Sequence, residues 1–323
     1  MLLNRRQCLL APFGFLLADA VVAGASDELA VRDAATAERF RAKRRFARTR
    51  FGKIAYVEQG AGAVALFLHG FPLNGFHWRG ALERLSLQRR CIALDFLGLG
   101  FTEVAARQSV APAAQADMIA AFLDRLSIRT VDLVANDSGG SIAQLFLVRH
   151  PGRVRTLLLT NCDVEPDSPP ATLQQVIKMA GAGTLPDEFL APLLNDKAMT
   201  RATGLGGHCY SDPAQPTDAA IDYYLAPLLS STKRKALANA YVLGLTPNPL
   251  AGIEAELRRC AVPTRVVWGM ADTIFSTDNP AYLERVLPQF RGVRRVDNGR
   301  LFFPEEYPDV IAEEARGLWS AAP

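Results

Sequence analysis

The chain has 323 residues, 49% hydrophobic and 21% charged, with 24 glycines and 20 prolines. That apolar content, with no short repeat, excludes a disordered, collagenous or coiled-coil protein. A net charge of +3, from 36 basic against 33 acidic residues, is too near balance for a dedicated nucleic-acid binder. The length allows one large α/β domain or two smaller ones and a full core without disulfide staples.

The first informative stretch is the amino terminus. Arg5-Arg6 precedes an almost wholly apolar run, Cys8–Val22, broken by Asp19, and Ala23-Gly24-Ala25 offers a small-x-small cleavage pattern. The segment resembles a twin-arginine export leader over residues 1–25, which implies a periplasmic or secreted mature chain beginning near Ser26. No later run is long and apolar enough to cross a membrane, so no stable insertion is expected once the leader is gone. Cysteines 8, 91, 162, 209 and 260 share no CxxC or CxxxH spacing, so neither a zinc site nor a thioredoxin-type site is indicated. Six of the ten residues Arg41–Arg50 are basic, which reads as a solvated strand edge.

Two strands are expected at Arg45–Arg50 and Lys53–Glu58, turning at Phe51-Gly52. Apolar strand runs then alternate with helical spacing. Strands fall at Ala63–Leu68, Cys91–Leu94, Val131–Ala135 and Arg155–Thr160, and helices at Trp78–Leu85, Ala113–Leu126 and Ser141–Arg149. Strands apolar throughout and separated by helices predict an α/β fold with a mostly parallel sheet covered on both faces. From Val164 the pattern becomes helix and loop. The alternation resumes at Thr264–Trp268 and Val293–Asp297 and closes with a helix at Pro308–Trp319. The expected organisation is a core of residues 26–163 and 259–323, with a helical lid of residues 164–258 inserted between core strands.

The chemistry centres on Ala135-Asn136-Asp137-Ser138-Gly139-Gly140, where a strand runs directly into a helix. A nucleophile elbow needs small residues two places either side of its apex, because the strained turn leaves no room there. With Asp137 at the apex the flanks are Ala135 and Gly139; with Ser138 they are Asn136 and Gly140. The Asp137 register fits better because Ala135 is smaller than Asn136, and Ser138 stays as the alternative.

With three further segments, this turn resembles the α/β-hydrolase-fold superfamily, in the Asp-nucleophile branch of haloalkane dehalogenases and epoxide hydrolases. Those segments are His69-Gly70-Phe71-Pro72, Asp95-Phe96-Leu97-Gly98-Leu99-Gly100-Phe101-Thr102 and Trp268-Gly269-Met270-Ala271-Asp272. The resemblance implies that Asp137 attacks a carbon bearing halide or epoxide oxygen and forms an alkyl ester. It makes the backbone N–H groups of Phe71 and Ser138 the oxyanion hole, Asp272 the acid that orients a histidine base, and His69 a prop for the oxyanion turn.

The histidine itself is missing. Counting back from Glu305-Glu306-Tyr307-Pro308 puts its place at Leu301, and all four histidines (69, 77, 150 and 208) precede the last two strands. His208 in the lid and His77 after the oxyanion turn are candidate substitute bases, while His150 ends a helix at the opposite edge of the sheet. Asp163 stands where some relatives carry the orienting acid. An Asp272–Arg300 ion pair is expected in the place of the acid–histidine pair. Without the base, alkylation of Asp137 proceeds but hydrolysis of the ester is slow, by about 10²- to 10⁴-fold.

Substrate signals are mixed. Halide-binding relatives commonly carry Trp after the nucleophile and Asn in the oxyanion turn, where this chain has Ser138 and Phe71. Epoxide-opening relatives use two lid tyrosines, for which Tyr210, Tyr223, Tyr224 and Tyr241 are candidates, each also a plausible packing residue. The expected function is hydrolysis of a small, mostly apolar electrophile. The rival readings are a ligand-binding pseudoenzyme and a non-hydrolytic catalyst of elimination or cyclisation. No metal, flavin or nucleotide cofactor is indicated, since Gly98-Leu99-Gly100 lacks the third glycine and helix start of a phosphate loop.

Overall fold

The computed structural model describes residues 34–321. The expected export leader lies outside them. After a helix over 34–42 (α1) come β1 (Arg45–Thr49), β2 (Gly52–Gln59) and β3 (Val64–Leu68). Helix α2 (Arg79–Leu85) leads to β4 (Arg90–Leu94), and a short β5 (Glu103–Val104) precedes α3 (Pro112–Arg125). Then β6 (Val131–Asp137), α4 (Ser138–Arg149) and β7 (Val154–Cys162) follow with little intervening chain. After the helical insertion the core resumes with β8 (Thr264–Gly269), α12 (Asn279–Val286) and β9 (Phe290–Val296), ending in α13 (Phe303–Glu306) and α14 (Pro308–Ala321).

These strands form one nine-stranded sheet in the order β1-β2-β4-β3-β6-β7-β8-β9, with β5 against β2. Pairings of β2 with β1, β4 and β5 are antiparallel, and those from β4 through β9 are parallel. Every residue of β3 and β6 is buried, as expected of central strands covered on both faces, and β3 is apolar throughout. Right-handed crossovers fix the layers. The connection β3–α2–β4 runs toward β1, whereas β4–α3–β6 and β6–α4–β7 run the other way, so α2 lies on one face and α3 and α4 on the other. Helix α14 packs against α2. Strand β9 is half exposed and carries Arg291, Arg294 and Arg295, which suits an edge strand.

Between β7 and β8 the chain makes α5 (Gln174–Ala182), α6 (Ala191–Asn195), α7 (Lys197–Ala202), α8 (Leu205–Cys209), α9 (Asp218–Leu229), α10 (Thr232–Leu243) and α11 (Glu254–Leu257). This helical lid lies across the carboxyl ends of the parallel strands, where an open α/β sheet places its ligands. Among the described residues no helix is long and apolar enough to cross a membrane.

Candidate active site

Strand β6 passes into α4 without a connecting loop, and the residue at the junction is Asp137, with φ 56° and ψ −140°. That conformation is strained for a non-glycine residue and marks the apex of the turn. Ser138 is the first residue of the helix. The pairing of β6 with β7 shifts register between Ala135 and Asp137, which lifts the apex out of the ladder. Close approach explains the neighbouring glycines. A Cβ on Gly70 would stand 2.1 Å from Asp137 Oδ2, and one on Gly139 would stand 2.3 Å from the His69 carbonyl.

The Asp137 carboxylate accepts hydrogen bonds from the backbone N–H groups of Ser138 and Phe71. Burial, followed by the nearby Asp163 carboxylate, nevertheless holds the Asp137 carboxyl well above its ordinary range, with Asp272 adding to the effect. Asp163 follows β7, one residue beyond Cys162, the register partner of Asp137. It accepts a bond from Ser168 Oγ at 2.9 Å, and burial pushes it up to about 7. Asp272, 9% exposed after β8, accepts from the Ile274 N–H at 2.9 Å and from Asn161 Nδ2 at 2.7 Å. Burial raises it too, against those bonds. Three buried carboxyls thus meet at the strand ends, and among the described residues none of them has a cationic partner. No group of three or more His, Cys, Asp or Glu side chains among those residues could hold a metal ion.

His69 braces the turn that carries Gly70 and Phe71. Its Nδ1 donates to the Gly70 carbonyl at 2.9 Å and its Nε2 accepts from the Phe96 N–H at 3.2 Å. Burial lowers its pKa to about 3, so the ring is neutral. Leu301, the position the sequence reading assigned to the base, is buried, and its carbonyl accepts from Asn136 Nδ2 at 3.0 Å.

The other sequence-derived candidates divide. Arg300 does not pair with Asp272: its guanidinium donates to the Gly207 carbonyl of the lid, so the expected ion pair is absent. His208 is exposed on α8 and turned to solvent rather than into the site. His150 bonds Asp117 at 3.1 Å, on the far side of the fold. His77 is buried, with Nδ1 at 3.4 Å from Glu305 Oε2 and Nε2 unpartnered. Burial lowers its pKa.

Glu305 is the centre of a network absent from the sequence reading. It pairs with Arg79 at 2.8 Å and accepts from Tyr210 at 2.9 Å and Tyr224 at 2.8 Å. Burial alone would raise its pKa, but Arg79 and His77 outweigh it and bring the carboxyl down to about 2. Two of the four lid tyrosines are therefore committed to Glu305, and a third, Tyr223, takes a bond from Arg44. Only Tyr241 of the four reaches the elbow, its hydroxyl 3.0 Å from Ser138 Oγ and its ring stacked on Phe71 at 6.0 Å between centroids.

Asn136 and Asn161 are further site residues that motif matching passed over. Each is a fully buried amide, and a polar side chain near a strand's carboxyl end was the available signal. Asn161 bonds both the Gly269 backbone and Asp272, and so fixes the turn that carries Asp272. A separate cleft of about 690 Å³ opens between α9–α10 and the Gly100–Ala105 loop. Asp137 does not line it and lies closed beneath the lid at 6% exposure.

A family model described as alpha/beta hydrolase fold matches residues 64–307. Haloalkane dehalogenase 2 of Mycobacterium bovis is 27% identical over 266 residues, 81% of this chain and 89% of its own length. A cis-3-alkyl-4-alkyloxetan-2-one decarboxylase of Shewanella oneidensis is 26% identical over 291 residues, 83% of this chain and 86% of its own length. The solved structure of epoxide hydrolase CorEH superposes with a TM-score of 0.72 at 20% identity, covering 86% of this chain and 98% of that one. The chain belongs to the α/β-hydrolase fold family and resembles its haloalkane dehalogenases and epoxide hydrolases.

Proposed function

We propose that this hydrolase-type enzyme acts on a small, mostly apolar electrophile, a haloalkane or an epoxide, through Asp137. The observation that carries the reading is the Asp137 carboxylate at a positive-φ elbow, in contact with the N–H groups of Phe71 and Ser138. Attack of that carboxylate on the substrate carbon forms an alkyl ester and expels halide or opens the epoxide. The same two N–H groups then stand ready for the oxyanion that forms when water attacks the ester. Ser138 and Tyr241 present hydroxyls beside the elbow and can donate to the departing oxygen or halide. Because Leu301 stands in place of the base, ester hydrolysis is the slow step.

A second reading rests on that same leucine. Loss of CO₂ from a four-membered lactone consumes no water and needs no base to activate it. A substrate such as the alkyloxetanone of the Shewanella relative would therefore suit a site without the histidine. In either reading the chain is exported, with a mature terminus near Ser26; amino-terminal sequencing of the protein from the periplasm tests this.

Intact-protein mass spectrometry after exposure to small haloalkanes and epoxides tests the first reading, with Asp137→Ala as control. A persistent mass gain lost in the variant supports a live nucleophile stalled at the ester. Alkene and CO₂ from an oxetanone, with no adduct, would move the assignment to the second reading. No gain and no product would leave a ligand-binding role.

A further inference from the structure

The place where the histidine would stand is also where the lid is fastened to the core. Residues 207–212 run along the loop 298–306 and bond to it nearly residue by residue. Arg300 donates to the Gly207 carbonyl, the Phe302 N–H donates to the Cys209 carbonyl at 2.9 Å, and Tyr210 Oη donates to Glu305 at 2.9 Å. The Ser211 N–H reaches Glu306 at 3.0 Å and the Asp212 N–H reaches it at 2.7 Å, while Ser211 Oγ donates to the Asn298 carbonyl. From the next lid helix, Tyr224 adds its hydroxyl to Glu305 at 2.8 Å.

Two carboxylates thus carry most of the fastening. On the core side Arg79 and His77 hold Glu305, whereas the lid side consists of hydroxyl and amide donors that water can replace. Helix α8, which enters this segment, is five residues long. Leu205, Cys209 and Tyr210 are buried, but the element is short and its bonds to the loop 298–306 are polar, features of segments that open locally. Asp137 is closed off in this arrangement, so a substrate has to displace some part of the lid. Cys209, within the segment, has its side chain turned inward at 5% exposure, facing the charges of Asp272 and Asp137.

We infer that residues 207–212 are the gate of the lid, latched by Glu305 and Glu306, and that its opening uncovers Cys209 at the threshold of the Asp137 site. The inference holds whichever reaction Asp137 performs.

Timed alkylation of the folded full chain with N-ethylmaleimide, read by peptide mass mapping, tests it. Cys91 in β4 and Cys162 in β7 are buried in the sheet and report global unfolding. The proteins compared are the wild type, Glu306→Ala and the double variant Tyr210→Phe/Tyr224→Phe. Cys209 is expected to react faster than Cys91 and Cys162 in the wild type. Loss of either set of latch bonds should speed it by about tenfold or more, with the two sheet cysteines unchanged. If Glu306→Ala does not fold, Cys91 and Cys162 will react at once and the tyrosine double variant decides alone. Cys209 reacting only in step with Cys91 and Cys162 in the wild type and the tyrosine variant would overturn the gate. So would a Cys209 rate that neither variant changes.

Discussion

The Leu301 carbonyl accepts a hydrogen bond from Asn136 Nδ2 at 3.0 Å, which ties position 301 to the residue before Asp137. The same amide reaches the Asn161 carbonyl at 3.2 Å, and Asn161 Nδ2 reaches Asp272 at 2.7 Å. Two buried asparagines therefore hold position 301 in register with both the Asp137 strand and the Asp272 turn, and on the proposed reading 301 is where a base would act. Leu301→His is expected to restore a working second step. The adduct on Asp137 should no longer accumulate, and multiple-turnover hydrolysis should rise by about 10²-fold or more. Steady-state product release together with intact mass checks both halves. An adduct that persists in the variant would mean that the scaffold no longer presents residue 301 to the ester.

In the proposed reaction Asp137 acts as the carboxylate, and burial followed by the Asp163 charge holds its pKa well above the ordinary carboxylate range. The rate of mass gain should therefore climb with pH. Asp163→Asn removes the like charge, lowers the pKa of Asp137 and should move the whole profile toward acid. Rates of adduct formation between pH 5 and 9 for the two proteins decide it, and coincident profiles would sink the coupling.

The same residue sets a stability slope. Asp163 has its pKa raised from 3.8 to about 7 in the folded chain, so the folded state holds the proton more tightly. This contribution is fully present below about pH 4 and is lost as pH rises through about 7, up to roughly 4 kcal/mol. Urea midpoints measured across that window should fall in the wild type and fall less in Asp163→Asn.

The sheet and the strand-to-helix turn were legible because each leaves a local mark: apolar runs such as Val64–Leu68, and small residues around Asp137. What was not legible depends on how side chains rotate once distant segments meet. Arg300 and Leu301 are adjacent in sequence, yet the turn sends the arginine to the Gly207 carbonyl and buries the leucine. Tyr210, Tyr223, Tyr224 and Tyr241 look equivalent in the sequence; only helix packing commits two of them to Glu305 and one to Ser138. Glu305 itself served only as a marker for counting back, because its partners come from three other parts of the chain.

Tyr241 can be isolated by Tyr241→Phe, which keeps the ring stacked on Phe71 and deletes only the hydroxyl near Ser138. If that hydroxyl helps the leaving oxygen depart, adduct formation from epoxides should slow by roughly 10- to 100-fold. The fold, followed by thermal melting, should be little changed. Equal rates in the two proteins would assign Tyr241 to packing alone.

Glu305→Gln tests whether the buried network stabilises the chain. The carboxylate pairs with Arg79 and accepts both tyrosine hydroxyls at 2% side-chain exposure. The amide takes the Glu305 charge away from Arg79 and from both tyrosine donors in a buried network, so a loss of about 3–5 kcal/mol is expected. The pH dependence has a definite sign. A carboxyl depressed from 4.5 to about 2 contributes stability that is present above about pH 4.5 and lost as pH falls through about 2. The gap between wild type and variant should therefore stay constant from pH 8 to 5 and close in acid. A gap under about 1 kcal/mol at neutral pH would mean that Arg79 gains nothing from Glu305 beyond what solvent offers, as exposed pairs commonly behave.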